Sequence, residues 1–157
     1  FYEIVSDTAE GSTCWFSLWA PGKFYAVQND FSFNISPRMF EGIFLPLVEK
    51  QVRFLDYSVY HLDGAGAFGH VDALCDLAEL NAIQVLPGAG HPSPLHYMDV
   101  LRKVQAAGKG LHITIPADEV REALESLSAR GLFIQTRCES ERQARALLKD
   151  AEKLSRG

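Results

Sequence analysis

The chain has 157 residues, of which 47% are hydrophobic and 22% charged, so it is long enough to bury a core within one domain. The formal net charge is -5, and the lysines and arginines are dispersed along the chain. Nucleic acids and anionic membrane surfaces recruit concentrated positive charge, so we expect neither as a partner.

The cysteines indicate the cellular setting. Cys14, Cys75 and Cys138 are too few and too widely spaced for the disulfide framework of a small secreted domain, which favours the cytoplasm. No uninterrupted apolar run reaches the length of a membrane span, and no signal peptide is recognisable. The first residue is Phe1 rather than Met, so we interpret residues 1–157 as one domain taken from a longer protein.

The amino-terminal region is rich in aromatic residues. Residues 13–20 read TCWFSLWA, a pattern that suits either a strand or a lid over a pocket. Trp15 and Trp19 are four residues apart, which also suits one face of a helix. After a Pro-Gly turn, residues 24–28 are predicted to form a short buried strand.

A helix start follows this strand. Ser36 suits a cap position and Pro37 the first turn, so a helix is predicted from there to about Leu55. Its apolar residues recur at three- and four-residue spacing and give one broad apolar face. Pro46 is expected to kink this helix.

The stretch LDYSVYHLDGAG, residues 55–66, carries the most chemistry. Val59 and Tyr60 close an apolar run typical of a buried strand, and a polar loop is predicted to begin at His61. A histidine and a carboxylate two residues apart at the end of a strand can converge on one ligand or metal. The structural alternative is that His61 and Asp63 bond each other or nearby amides and fix the turn.

The rest of the chain repeats a short apolar strand followed by an amphipathic helix. Further strands are predicted at residues 81–86, 111–115 and 132–136, and further helices at 70–80, 95–107, 117–129 and 140–154. Such alternation implies an α/β fold with parallel strands and right-handed crossovers. Five units are too few for a closed barrel of about 250 residues, so a partial TIM barrel is expected.

Polar groups follow each predicted strand, so they should gather at one end of the sheet. Asp30 is either a loop-stabilising acceptor or a ligand contact, and the PGAG loop could let a ligand approach its backbone, although it lacks a nucleotide-binding fingerprint. His112, inside a strand, is interpreted as a hydrogen-bonded core residue rather than a ligand. The candidate substrate-binding residues are Asp30, Gln84, Gly88, Gly90 and His91.

Five segments together resemble a known family. They are ISPRMFEGIFLPLVEKQVRFLD, YHLDG, LNAIQVLPGAG, GKGLHI and GLFIQTRCESERQARALL. This order resembles the carboxyl-terminal part of the uroporphyrinogen decarboxylase superfamily, which also contains cobalamin-dependent methyltransferases and whose fold is a TIM barrel. The resemblance covers nearly everything from Phe24 onward and implies a barrel of which this chain is the carboxyl-terminal part.

The methyltransferase branch of that superfamily carries a His-x-Cys-Gly motif and a later Cys that together hold zinc. By resemblance, His61, Asp63 and Cys138 would hold zinc or another divalent metal, with Asp63 standing in place of the first Cys. The metal would activate a substrate thiol, and a corrinoid protein would donate the methyl group. A carboxylate in place of a thiolate makes the site harder and less selective for zinc.

Two alternatives stay open. The protein could instead be decarboxylase-like, acting on a tetrapyrrole without metal, or it could be a non-catalytic partial barrel that binds or assembles. A small-molecule substrate is expected in either enzymatic case. An incomplete barrel leaves two strand edges exposed, so we also expect self-association into a homo-oligomer.

Overall fold

The alternation of apolar strands and amphipathic helices produces a parallel sheet in the computed structural model, which describes residues 2–5 and 10–155. The sheet contains five parallel strands in the order β3-β4-β5-β6-β7, and a separate antiparallel pair, β1 and β2, precedes it. The strands are β1 Ser12–Thr13, β2 Trp19–Ala20, β3 Phe24–Gln28, β4 Tyr57–Asp63, β5 Ala82–Leu86, β6 Gly110–Thr114 and β7 Leu132–Gln135.

Helices connect the successive strands of this sheet, except that the first helix precedes the sheet and the last helix follows its last strand. They are α1 Tyr2–Val5, α2 Pro37–Met39, α3 Leu45–Phe54, α4 Val71–Cys75, α5 Met98–Ala106, α6 Val120–Ser126 and α7 Glu141–Leu154. Short 3-10 segments precede several of them, at Asp30–Asn34, Ala65–His70, Pro94–Tyr97 and Ala117–Glu119. Within the described ranges, no helix is long and apolar enough to cross a membrane. The predicted α/β class is confirmed, whereas the sheet is open and its closure into a barrel stays a prediction.

The two faces of the sheet have different partners. Successive side chains of a strand point to opposite faces, so Tyr60 and Leu62 of β4 join the large core that includes helix residues such as Leu101. Val59, on the opposite face, joins a smaller cluster with Phe16 from the segment between β1 and β2. His61 shares this second face, which therefore combines apolar packing with polar groups.

The helical region 37–54 begins as predicted and contains a π-helical turn. The Ser36 hydroxyl accepts a hydrogen bond from the Met39 amide at 3.3 Å, as expected of a cap. A π-helical turn, Phe40–Phe44, separates α2 from α3 and lies just before Pro46. Because Pro46 lacks an N–H and its ring crowds the preceding turn, a widened turn just before it relieves that crowding, and the kink itself stays a prediction.

Two predicted boundaries were wrong. Strand β4 does not end at Tyr60 but continues to Asp63, because its pairing with β5 extends to Asp63 opposite Leu86. His61 and Asp63 are therefore strand residues on one face rather than loop residues. The helix predicted over 70–80 is an α-helix only over Val71–Cys75.

The aromatic segment near the amino terminus is a hairpin, so its helical alternative was wrong. Strands β1 and β2 pair antiparallel, and Ser17 adopts a left-handed backbone (φ 59°) in the turn between them. Phe16 is only 2% exposed, whereas Trp15 and Trp19 are largely exposed. The segment thus lies over the second face of the sheet and covers part of it.

Replacing Gly66 with alanine should destabilise the protein by about 1–3 kcal/mol. An added Cβ would lie 2.7 Å from the backbone carbonyl oxygen of Phe33, so two 3-10 segments would have to separate. These segments are joined by His70, whose Nε2 lies 2.9 Å from the Ser32 carbonyl oxygen. Urea unfolding of the variant checks the prediction.

The matched control is Gly42→Ala. A Cβ at Gly42 meets nothing within 4 Å and lies in a helical region, so this change should be neutral or stabilise by up to about 1 kcal/mol. Equal unfolding midpoints for the two variants would show that the contact at Gly66 is not tight.

Candidate functional site

A cavity of about 480 Å³ opens at the carboxyl ends of β4, β5 and β6. In parallel α/β folds this edge of the sheet is where ligands bind, because loops and helix starts converge there. Polar residues from three successive strand-to-helix connections line the cavity: Asp63, His91, Ser93, Thr114 and Glu119. Of the predicted site residues, Asp63, Gly88 and His91 are brought together here.

His61 lies beside this cavity, with a polar partner on each side. Its Nδ1 is 2.5 Å from Oε1 of the buried Gln84, which lies opposite it on β5. An amide oxygen only accepts, so Nδ1–H donates and Nε2 carries the lone pair of the neutral imidazole. That Nε2 faces Asp63, with 3.9 Å to the carboxylate Oδ2.

This geometry suits proton transfer. The neutral His61 can accept a proton at Nε2, and the carboxylate of Asp63 then stabilises the resulting imidazolium. The His61 side chain is 14% exposed and that of Asp63 is 45% exposed, so Asp63 has ready contact with solvent. A distance of 3.9 Å leaves the two groups beyond direct hydrogen bonding and close enough to act on one shared atom.

The glycines of the PGAG loop have distinct roles. Gly88 adopts a left-handed backbone (φ 92°), and a Cβ there would lie 3.5 Å from the Cα of Gly64. The contact with Gly64 would be an ordinary one, so glycine is favoured at position 88 by its left-handed backbone. Gly90 is also left-handed but faces open space, and the exposed His91 has its Nδ1 3.3 Å from the hydroxyl of Tyr97.

Sequence reasoning missed three polar residues of the cavity, Ser93, Thr114 and Glu119. The Ser93 hydroxyl donates a hydrogen bond to the Glu119 carboxylate across the connections that follow β5 and β6. Ser93 precedes a proline and Glu119 follows one closely, both at helix starts after strands. A polar residue at the start of a helix that follows a strand is the sequence signal that could have identified Ser93 and Glu119. Glu119 gives the cavity a second carboxylate in addition to Asp63.

His112 is the other residue that sequence reasoning misjudged. It is 1% exposed, as expected of a core residue, and neither ring nitrogen has a hydrogen bond of good geometry with a described residue, although the Gln135 side chain lies near enough to act on its pKa as a hydrogen-bond partner. Burial lowers the pKa of His112 to about 4, with a further lowering from His61 and an opposing effect of the Gln135 side chain. Strand alternation places His112 in register with Gln84, a signal that could have marked it.

Asp30 lies apart from the cavity. It begins the 3-10 segment Asp30–Asn34 after β3, is exposed, and is not among the residues that line the cavity. Burial raises the pKa of Tyr60 to about 12, and the negative charge of Asp30 adds a smaller rise, so Asp30 does lie within electrostatic reach of β4. Its role as a substrate contact stays a prediction.

Cys138 follows β7, three strands away from β4, which corresponds to about 14 Å at the usual spacing of strands. Across residues 2–5 and 10–155, no group of three or more His, Cys, Asp or Glu side chains is arranged to hold a metal ion. A catalytic zinc takes three protein ligands. His61 and Asp63 face each other as two such groups, whereas Cys138 does not join them in this structure, so the three-ligand site stays a prediction.

The interpretation of the site therefore depends on its own geometry. That geometry is a cavity lined by two carboxylates, with an oriented histidine beside it, at the carboxyl ends of parallel strands. Comparisons with models of known protein families, with curated proteins and with solved structures found no match.

Proposed function

We propose that the chain is the carboxyl-terminal part of a (β/α)8-barrel enzyme of the uroporphyrinogen decarboxylase superfamily. The order of the strands carries this proposal, because β3 to β7 neighbour one another in sequence order. In doubly wound sheets the strand order reverses, and helices cover both faces. Sequential order with right-handed crossovers keeps the helices on one face, as in the wall of a barrel.

The composition of the opposite face supports the same proposal. This face of the sheet carries four polar side chains that lie in register on four neighbouring strands: Gln28, His61, Gln84 and His112. A parallel sheet with helices on both faces is apolar on both. A row of four polar side chains suits the interior of a barrel near its substrate site.

Within the superfamily, methyl transfer is the function that we propose first, because of the charge of the cavity. Asp63 and Glu119 line it, and none of its lining residues is Lys or Arg. Two carboxylates disfavour a polycarboxylate tetrapyrrole and favour a neutral substrate such as a thiol. The substrate thiol would lose its proton to Nε2 of His61, and Asp63 would stabilise the imidazolium.

The thiolate sulfur would then bond to the methyl carbon of a methylated corrinoid on a partner protein, while the cobalt–carbon bond would break and its electron pair would stay with cobalt. Zinc held by His61, Asp63 and Cys138 would occupy Nε2 of His61 in place of the proton, and it would itself lower the pKa of the substrate thiol. The decarboxylase-like function is the second candidate, and the absence of a three-ligand metal group in the described part of the chain favours it.

Metal analysis of four proteins distinguishes these functions. After dialysis, the methyltransferase-like function predicts about one zinc per chain in the wild type, lost in His61→Ala and Cys138→Ala. Cys75→Ala is the matched control. Cys75 is a half-buried thiol in α4 that is not a proposed ligand, so the Cys75→Ala protein should retain its zinc. Circular dichroism establishes that each variant is folded.

Tetrapyrrole binding supplies the other half of the test. Saturable binding of uroporphyrin without any metal would replace the first candidate with the second. A folded protein that retains no zinc and binds no uroporphyrin would contradict both candidates.

A further inference from the structure

Phe16 fills a space above the polar row on the second face of the sheet. Its ring centroid lies 5.6 Å from the imidazole of His61 and 5.5 Å from that of His112. Phe16 is 2% exposed, so an aromatic ring is accommodated between two imidazoles and shielded from water.

His112 lies beside this ring with little hydrogen bonding, and the Gln135 side chain is the polar group close enough to raise its pKa. Both nitrogens of His112 are buried and lack a partner among the residues that the structure describes. The rings of Phe16 and Phe133, the latter 4.8 Å away, offer neither a donor nor an acceptor. Buried polar groups without partners are rare, because each retains its desolvation cost. His112 is thus a buried group with hydrogen-bonding capacity that packs against an apolar ring.

The segment that supplies Phe16 is held by few backbone pairs. Strands β1 and β2 have two residues each, and the turn between them includes the left-handed Ser17. Side chains add Trp19 Nε1–H, which donates to the Glu10 carbonyl at 2.8 Å, and Ser12, which donates to the Gly22 carbonyl at 2.5 Å. Short isolated hairpins have little stability of their own, so this cover can leave the sheet without disturbing the larger core.

We propose that residues 12–20 are a removable cover, and that a phenol-sized, uncharged aromatic molecule with a ring hydroxyl binds in place of the Phe16 ring. The ring of the ligand lies between His61 and His112, and its hydroxyl bonds to His112. A neutral imidazole both donates and accepts, as does a hydroxyl. The nearby Asp63 carboxylate disfavours anionic ligands. This site does not depend on the proposed methyl transfer.

Phenol is the probe, and the protein supplies its own reporter. Its two tryptophans, Trp15 and Trp19, both belong to the cover, so their fluorescence reports displacement. Excitation at the red edge of tryptophan absorption avoids phenol itself. We expect a saturable change in the wild type, and binding roughly tenfold weaker in His112→Leu, as expected for the loss of one buried hydrogen bond.

Benzene and a variant of Phe16 complete the design. Benzene has no hydroxyl, so its affinity should be equal in the wild type and His112→Leu. In Phe16→Ala no ring has to be displaced, so this variant should bind phenol more tightly than the wild type does, as measured by calorimetry. Phe16→Leu replaces it if the alanine variant does not fold. The proposal is overturned if the wild type and His112→Leu bind phenol with equal affinity. It is also overturned if neither the wild type nor the folded Phe16 variant shows saturable phenol binding.

Discussion

Acidification from pH 6.5 to about 4 is expected to remove about 3 kcal/mol of folding free energy through His112 alone. Burial lowers the folded-state pKa of His112 from 6.5 to about 4. Between these values the unfolded chain binds a proton that the folded chain does not, so stability falls as the pH falls. The contribution is fully present above pH 6.5 and is lost by about pH 4.

Urea unfolding across this pH range measures the effect as the difference between the wild type and His112→Leu. At neutral pH the variant should be as stable as the wild type or more stable by about 1–2 kcal/mol, because two unpartnered nitrogens are removed. Its advantage should grow towards pH 4. The control is His96→Leu, at an exposed position, which should leave the pH dependence unchanged. A wild-type-to-variant difference that stays constant with pH would contradict the assignment.

Truncation of Phe40 to alanine should cost about 3–5 kcal/mol, a large part of the total stability of a domain this size. Phe40 is 0% exposed and is the first residue of the π-helical turn. Its ring stacks on His70 with centroids 4.3 Å apart and meets Tyr60 edge-on at 6.4 Å. Its loss leaves a cavity between the helical region and the sheet.

Chemical denaturation of Phe40→Ala measures this loss, and Met39→Ala provides the neighbouring control. Met39 is 48% exposed, so its truncation should change the free energy of unfolding by less than about 0.5 kcal/mol. Similar unfolding curves for the two variants would mean that the core relaxes to fill the space of the Phe40 ring.

Local chemistry made several parts of the fold predictable from the sequence. Ser140 accepts from the Gln143 amide at 3.3 Å, as its position before a helix predicted. Gly108 and Gly131 adopt the left-handed backbone expected between a helix and the next strand. The α/β class could be predicted from five strand patterns that alternate with helix patterns. Such patterns are readable because hydrophobic periodicity and turn chemistry depend on residues that are close in sequence.

Relations between distant segments limited the prediction of the site. The convergence of Asp63 and His91 followed from parallel topology, which places all carboxyl ends at one edge. The position of Cys138 depends instead on the number of strands between β4 and β7 and on whether the sheet closes, neither of which spacing encodes. The packing of Phe16 against His112 depends on the path of the hairpin over the sheet, and no local sequence pattern specifies that path.

Sequential strand order also determines how the protein opens. Each unit contacts mainly its neighbours, so stability is distributed along the chain as in repeat proteins. No residue of α7 is buried, and the residues of β7 alternate between half-buried and exposed, whereas β4 and β5 are mostly buried. We therefore expect the carboxyl-terminal unit to detach from the sheet more readily than the central strands in native-state fluctuations. Its detachment would expose the outer edge of β6 to proteases while the central strands stay folded.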